Sequence, residues 1–422
     1  MSDGMHGPAA DPWKMPLEEI NVADPELFRT DSHWAYFERL RKEDPVHYYA
    51  GGTAESGDEI GPYWSITKYN DIMAVDTNHQ AFSSDAHRGG ITLRNFDEDF
   101  VLPMFIAMDP PKHDAQRKVV SPIVAPDNLA RLESVIRERA GKLLDAVPRG
   151  EVFDWVDAIS IELTTQMLAT LFGFPWEERR KLTRWSDVAT AMPHPGGIVE
   201  TEDERRAVLL ECLEYFTNLW NERVNSSTPG NDLITMLAHG ESTRNMEPME
   251  YLGNIILLIV GGNDTTRNSI SGGLYALNKF PKEYDKLLAN PAVIPNMVSE
   301  IIRWQTPLAY MRRTAVEDVK IRDKTIRAGD KVAMWYVSGN RDEEVIENAN
   351  ELIIDRPNPR RHLSFGFGIH RCVGNRLAEM QLRIVWEEIL KRFKRIEVVE
   401  EPRRVPNSFV KGYEQMMVRV VD

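Results

Sequence analysis

The sequence predicts a mainly α-helical protein with small β-sheets, folded as a single large domain. Helix-period apolar spacing runs from Pro111 to Lys282 with few interruptions. Strand-like stretches are short and lie outside that region. No repeat, low-complexity tract or shift in composition marks a linker, and 422 residues are enough for one large core.

Taken in order, residues 1–30 are rich in Pro, Asp and Glu and lack a period. They are expected to lie along the surface as an N-terminal extension, with the domain spanning 31–422. A helix over 32–42 puts Trp34, Phe37 and Leu40 on one stripe. Strands at 45–49 and 63–66 are joined by a glycine-containing link, and a short helix covers 69–76. Residues 83–108 mix Gly89 and Gly90 with Ile91, Leu93, Phe96, Phe100 and Phe105. An apolar loop of that length either covers the core or lines a pocket. Helices are predicted over 111–120, 127–146, 154–172, 176–191, 201–225, 230–238 and 249–279, then 282–289 and 292–304. A loop at 192–197, carrying Pro193, Pro195 and two glycines, separates two of them. A hairpin (316–321 with 324–328), a strand (331–336), a helix (375–393) and strands at 396–399 and 416–421 complete the chain.

The net charge of −14 argues against a nucleic-acid or anionic-membrane partner. Cys212 and Cys372 stand far apart and build no disulfide framework. The start lacks a secretory pattern, and the longest apolar run, 255–260, is too short to be a transmembrane segment. The reading is a soluble, cytoplasmic protein.

The chemistry centres on Phe365-Gly366-Phe367-Gly368-Ile369-His370-Arg371-Cys372-Val373-Gly374. Cys372 stands at a helix entrance, where free N–H groups and the dipole favour a thiolate, the axial ligand that a haem iron takes. Glycines at 366, 368 and 374 let backbone approach a flat macrocycle. The plainer alternative is a buried thiol. Gly261-Gly262-Asn263-Asp264-Thr265-Thr266 interrupts an apolar helix, either as a structural turn or as a functional defect, and Thr265 can bond back to a carbonyl. Beside bound dioxygen, Asp264 and Thr265 would form a proton-delivery pair. Glu300 and Arg303, at i and i+3, read alone as a surface ion pair. His113 and Arg117 share a helix face that is either solvated or clamps an anion. Phosphate-loop, serine-elbow, zinc-protease and dinucleotide motifs are missing.

Together these motifs resemble the cytochrome P-450 superfamily of haem-thiolate monooxygenases, from about residue 30 to the end. The Phe-Gly-x-Gly-x-His-x-Cys-x-Gly loop is the most specific of them. The resemblance implies a single-domain cytochrome P-450 fold, with haem b between a long kinked helix and the Cys loop. It implies Cys372 as the iron ligand, and Asp264 and Thr265 as catalytic residues. His113, Arg117, Arg313 and His370 fall at its propionate positions, with Phe365 and Gly374 beside the thiolate. Glu300, Arg303 and Arg356 match its structural triad, although Leu352-Ile353 stand where the family often has Phe-Asp.

Gly261 to Ser269 and Arg356 to Ser364 resemble bacterial alkane and fatty-acid terminal (omega) hydroxylases. That implies oxidation of an unactivated methyl end with O2. Sterol side chains and terpenoids are alternatives within the class, and a non-catalytic haem-thiolate sensor or electron carrier is the alternative outside it. Candidate pocket residues are Ile91, Leu93, Val188, Leu257, Leu258, Gly261, Leu308 and Met311. Electrons are expected from NAD(P)H through a ferredoxin and a ferredoxin reductase. Arg360, Arg361, Arg371, Arg376 and Lys112 would form a basic docking patch, so turnover should fall with salt.

Overall fold

The computed structural model describes residues 11–53, 59–94, 99–228 and 230–421. Phe96, named above within the 83–108 loop, lies outside them.

The axis of the fold is the helix Pro248–Lys279. Proline at its first position has no amide hydrogen to leave unpaired, and Pro281 begins the next helix just beyond its end. Residues 251–256 and 266–277 are buried on every face, which makes this a central helix. It packs against Arg180–Thr190, Glu162–Phe172, Ile294–Gln305 and Asn375–Arg392. The expected interruption at 261–266 does not end the helix, which continues through both glycines. Side chains of these helices build the main core, with Trp155, Trp185 and Trp386 fully buried.

A five-stranded sheet flanks the helices. Its order is Val46–Tyr49, Tyr63–Ile66, Lys331–Met334, Met311–Ala315, Phe82–Ser83. Val46 pairs with Ile66, and Val332 faces both Trp64 and Arg313. Met311–Ala315 is not among the predicted strands. All five of its residues are buried, including Arg312 and Arg313, so it lacks the apolar and polar alternation that marks a half-buried strand.

Three other expectations need correction. Residues 11–30 do not simply lie along the surface. Ile20, Val22, Leu27 and Phe28 are buried in a cluster with Trp335 and Tyr310, where they gain more by leaving water than a surface path allows. The predicted helix 154–172 is three elements. Val152–Asp154 is a strand paired with Met417–Val421, then come a π-helical turn (Val156–Ile161) and the helix Glu162–Phe172. The 176–191 helix starts at Arg180, after a single 3-10 turn.

Candidate active site

The loop before Asn375–Arg392 closes on itself. The Cys372 amide donates to the Phe365 carbonyl at 2.8 Å. Gly374 is the N-cap of the helix, and Sγ accepts from the amides of Gly374 and Asn375. Cys372 is exposed, whereas Cys212 is buried in the main core. Burial by surrounding protein pushes the Cys372 thiol up, and the two amides with Arg117 and Arg371 pull it down.

Gly368 has φ +66, and a Cβ there would fall 2.7 Å from the Asp76 carbonyl oxygen. Its glycine is therefore required by the neighbouring chain at 76–77. At Gly374 the nearest atom to such a Cβ is Cys372 Sγ, at 4.0 Å, so space remains there.

The helix Lys112–Val120 joins this loop to the central helix. Asn254 Nδ2 donates to Gln116 Oε1 at 3.1 Å. From the same helix Arg117 Nη2 donates to the Arg371 carbonyl, and the His113 ring meets the His370 ring edge-on at 4.4 Å. His370 Nε2 lies 3.0 Å from Ser84 Oγ, and His113 Nδ1 lies 2.7 Å from Asp114 Oδ1. The other nitrogens, His370 Nδ1 and His113 Nε2, are buried without a partner among the described residues. Burial, then the charges of Arg313, His113 and Arg117, push His370 down to about 2. The four anion-clamp candidates thus form one cluster, electropositive and incompletely bonded. The reading of His113 and Arg117 as a solvated face is excluded for His113, which is buried.

Along the central helix, Leu257, Leu258, Val260, Gly261, Gly262 and Thr265 keep accessible surface, although the turns on either side are buried. Positions 257, 261 and 265 repeat every four residues, so the opening is a stripe on one face. A Cβ on Gly261 would meet nothing within 4 Å. Thr265 Oγ1 donates back to the Gly261 carbonyl at 3.0 Å. Asp264 points elsewhere and is fully buried. It accepts from Ser186 Oγ (2.9 Å), Asn263 Nδ2 (3.1 Å) and Thr190 Oγ1 (3.4 Å), and Arg267 lies 3.1 Å away. Arg267 also pairs with Asp187 at 2.6 Å. Burial raises the Asp264 carboxyl, and Arg267 opposes that shift. Ser186 and Thr190 carry no sequence signal for this contact, because they stand on the separate helix Arg180–Thr190, whereas Arg267 is three residues from the acid on the central helix.

Glu300 and Arg303 are not a surface pair. Their side chains are 0% and 1% exposed and bond bidentately, with both contacts at 2.7 Å. Arg356 Nε reaches Glu300 Oε2 at 3.0 Å, so the structure brings these three residues together. Arg303 also donates to the carbonyls of Asn340, Ala349 and Glu351.

The pocket candidates divide. Ile91, Leu257, Leu258, Gly261 and Leu308 keep accessible surface, whereas Leu93, Val188 and Met311 are buried. Leu93 belongs to the cluster around Trp335, and its amide donates to Tyr310 OH. Met311 packs in the sheet cluster. The turn around Asn407–Lys411 was not anticipated. Val410 bridges Leu308, and Asn407 Nδ2 bonds the Thr190 carbonyl at 2.8 Å. Pro406-Asn407-Ser408 before Phe409-Val410 is the turn signal that would have found it.

Outside the Cys loop lies a hollow of about 600 Å³, lined by Arg360, Arg371, Arg376, Arg383, Phe365 and Glu379 among others. Lys112 does not line it and pairs with Glu250.

Residues 55–418 match the profile of the cytochrome P450 family. The chain belongs to that family. It is 36% identical to the linalool 8-monooxygenase of Pseudomonas putida over 96% of this chain and 100% of that protein. It is 30% identical to the methyl-branched lipid omega-hydroxylase of Mycobacterium bovis, over 96% of each chain. The structure of cytochrome P450-153 from Novosphingobium aromaticivorans superposes with a TM-score of 0.88 at 44% identity, covering 97% of this chain and all of that one. The protein is thus a cytochrome P450 monooxygenase with the single-domain P450 fold, and the family's cofactor is haem with a thiolate-bound iron that uses O2. The residues present fit that cofactor. An exposed sulfur, two unpartnered imidazole nitrogens beside two arginines, and an open stripe on a buried helix are the features that a metal, two carboxylates and a flat ring require. Among the described residues no helix is long and apolar enough to cross a membrane.

Proposed function

We infer that this P450 hydroxylates the terminal methyl of medium-chain alkanes or fatty acids, drawing electrons from NAD(P)H through a ferredoxin and its reductase. In this reading Cys372 ligates iron, and His113, Arg117, Arg313 and His370 hold the propionates of haem b. Phe365 and Gly374 flank the sulfur. The haem supplies oxygen activation when bound. The protein supplies binding, orientation and protons. Thr265 presents a hydroxyl on the open stripe, and Asp264 is buried one residue before it, where burial raises its carboxyl and Arg267 opposes that shift.

The observation that carries the substrate reading is the stripe of Leu257, Leu258 and Gly261, with Ile91 and Leu308 also partly accessible. Its surface is apolar. A methyl C–H is stronger than its methylene neighbours, so terminal attack requires walls that keep those carbons away. The hollow rimmed by Arg360, Arg371 and Arg376 supports docking of an acidic ferredoxin. The linalool-oxidising relative supports a terpenoid as the second reading.

The deciding experiment supplies octane, a medium-chain fatty acid and linalool to the reconstituted enzyme and identifies the products. Terminal alcohols from the first two are expected. Internal alcohols alone, or oxidation of linalool alone, would contradict the terminal-chain reading. Asp264→Asn and Thr265→Val are each expected to lower product formation about 100-fold, the scale of a lost proton donor. Product yields within a factor of about two of wild type would remove both from the proton path.

A further inference from the structure

Asp76 lies in the last turn of the helix Tyr69–Thr77, and its side chain is 1% exposed. Both circumstances disfavour a carboxylate. The C-terminal end of a helix dipole repels negative charge, and burial strips the group of water. Its partners come from three separate elements. Arg313 Nη2 donates to Oδ1 at 2.9 Å, and Tyr336 OH donates to Oδ2 at 2.9 Å. The Phe367 amide, inside the Cys loop, donates to the same Oδ2 at 2.8 Å.

The loop also lies directly on this residue. A Cβ at Gly366 would stand 3.3 Å from Asp76 Oδ2, and one at Gly368 would stand 2.7 Å from the Asp76 carbonyl oxygen. On the other side Arg313 is equally buried. Asp76 is its one acidic partner among the described residues, and Arg313 Nη1 donates to the Arg312 carbonyl at 2.9 Å. One buried carboxylate therefore ties an arginine of the anion cluster to the backbone that leads to Cys372.

We propose that Asp76 is a positioning residue that sets the charge and the shape of the haem site from behind it, acting through Arg313 and through the Phe367 amide. This rests on the haem and propionate assignments made above. The carboxylate offsets the Arg313 charge and so limits how strongly that arginine favours the reduced iron. It also fixes the loop, because Oδ2 accepts from the Phe367 amide and from the Tyr336 hydroxyl together. Asparagine has the same shape but neither the charge nor two accepting oxygens. Its amide nitrogen would confront either Arg313 or the other two donors.

The test uses haem-loaded wild type, Asp76→Asn, Asp76→Glu and Tyr336→Phe. Midpoint potential and the rate of haem transfer to apomyoglobin are measured for each. Loss of the buried negative charge in Asp76→Asn should raise the ferrous-to-ferric ratio at a fixed potential on the order of tenfold. Asp76→Glu and Tyr336→Phe keep the charge, so their midpoints should stay at the wild-type value. Their haem release should quicken several-fold, because Asp76→Glu displaces the oxygen that accepts from the Phe367 amide and Tyr336→Phe removes the hydroxyl that holds that oxygen in place. An unchanged midpoint in Asp76→Asn overturns the charge role. Wild-type release from all three variants overturns the loop role. If Asp76→Asn does not fold, Asp76→Glu and Tyr336→Phe decide: quicker release with an unmoved midpoint supports the proposal, and wild-type release overturns it. Wild type that binds haem without thiolate ligation would sink the underlying assignment instead, and its own spectrum separates that case.

Discussion

Glu300→Ala is expected to lower stability by about 3–5 kcal/mol, the cost of leaving buried charges unpaired. Glu300 binds the side chains of two buried arginines and also accepts the Ile353 amide at 2.9 Å. Its removal leaves Arg303 and Arg356 with backbone carbonyls as their remaining partners. Those bonds stay made, but no negative charge then balances two positive ones in a dry interior. The haem-loaded protein should unfold at a lower denaturant concentration, with the slope of the transition unchanged. Glu300→Gln keeps the shape and should fall between wild type and Glu300→Ala. A loss below about 1 kcal/mol for Glu300→Ala would mean that water or another acid reaches the arginines, against the burial seen here.

The second large effect is on catalysis. Cys372→Ala is expected to abolish oxygen-dependent turnover, whereas Cys212→Ala should keep it. The two cysteines differ in surroundings. Cys372 is exposed at a helix entrance with amides and arginines around its sulfur, and Cys212 packs in the main core, where burial pushes its thiol well up. Cys212→Ala should cost only about 1 kcal/mol of stability, through a small cavity. Turnover with a saturating electron supply, measured beside haem content, checks both. Retained activity in Cys372→Ala, or its loss in Cys212→Ala at full haem content, would reverse the assignment.

The parts of this fold that were legible share one property: their signal is local. The central helix shows as a long apolar run, the Cys loop as glycines around one cysteine, and the hairpin partners Val46–Tyr49 and Tyr63–Ile66 as short β-branched and aromatic runs. The illegible parts are decided by distant residues. Arg313 is placed by resemblance alone, and nothing local marks Arg312 or the strand that carries both. In the fold Arg312 donates to the Arg88, Gly89 and Thr92 carbonyls and Arg313 pairs with Asp76, so a strand with two arginines becomes wholly buried. Burial pushes Arg312 down to about 10, a measure of how dry that position is. Asp76 is a single acid at a helix end, with nothing in its neighbourhood to mark it. Ile20, Val22, Leu27 and Phe28 follow neither a helical nor a strand period, yet all four are buried. The acid at 264 was legible as a motif, but its orientation toward Ser186, Thr190 and Arg267 was not, because a motif names a residue and packing aims it.

The pocket shows the same division. Leu257, Leu258 and Gly261 follow from helix spacing once the open face is known. Leu93 and Val188 are buried, and a buried apolar residue serves a core and a closed pocket wall equally well.

Every catalytic role proposed for this P450 depends on the Cys372 sulfur binding the haem iron. The carbon monoxide difference spectrum of the dithionite-reduced protein tests it most directly. Wild type and Cys212→Ala are expected to show the strongly red-shifted Soret band of a thiolate-ligated haem, and Cys372→Ala is expected to lose it. A wild-type band at the shorter wavelength of histidine- or thiol-ligated haem, in freshly prepared and fully loaded protein, would contradict it.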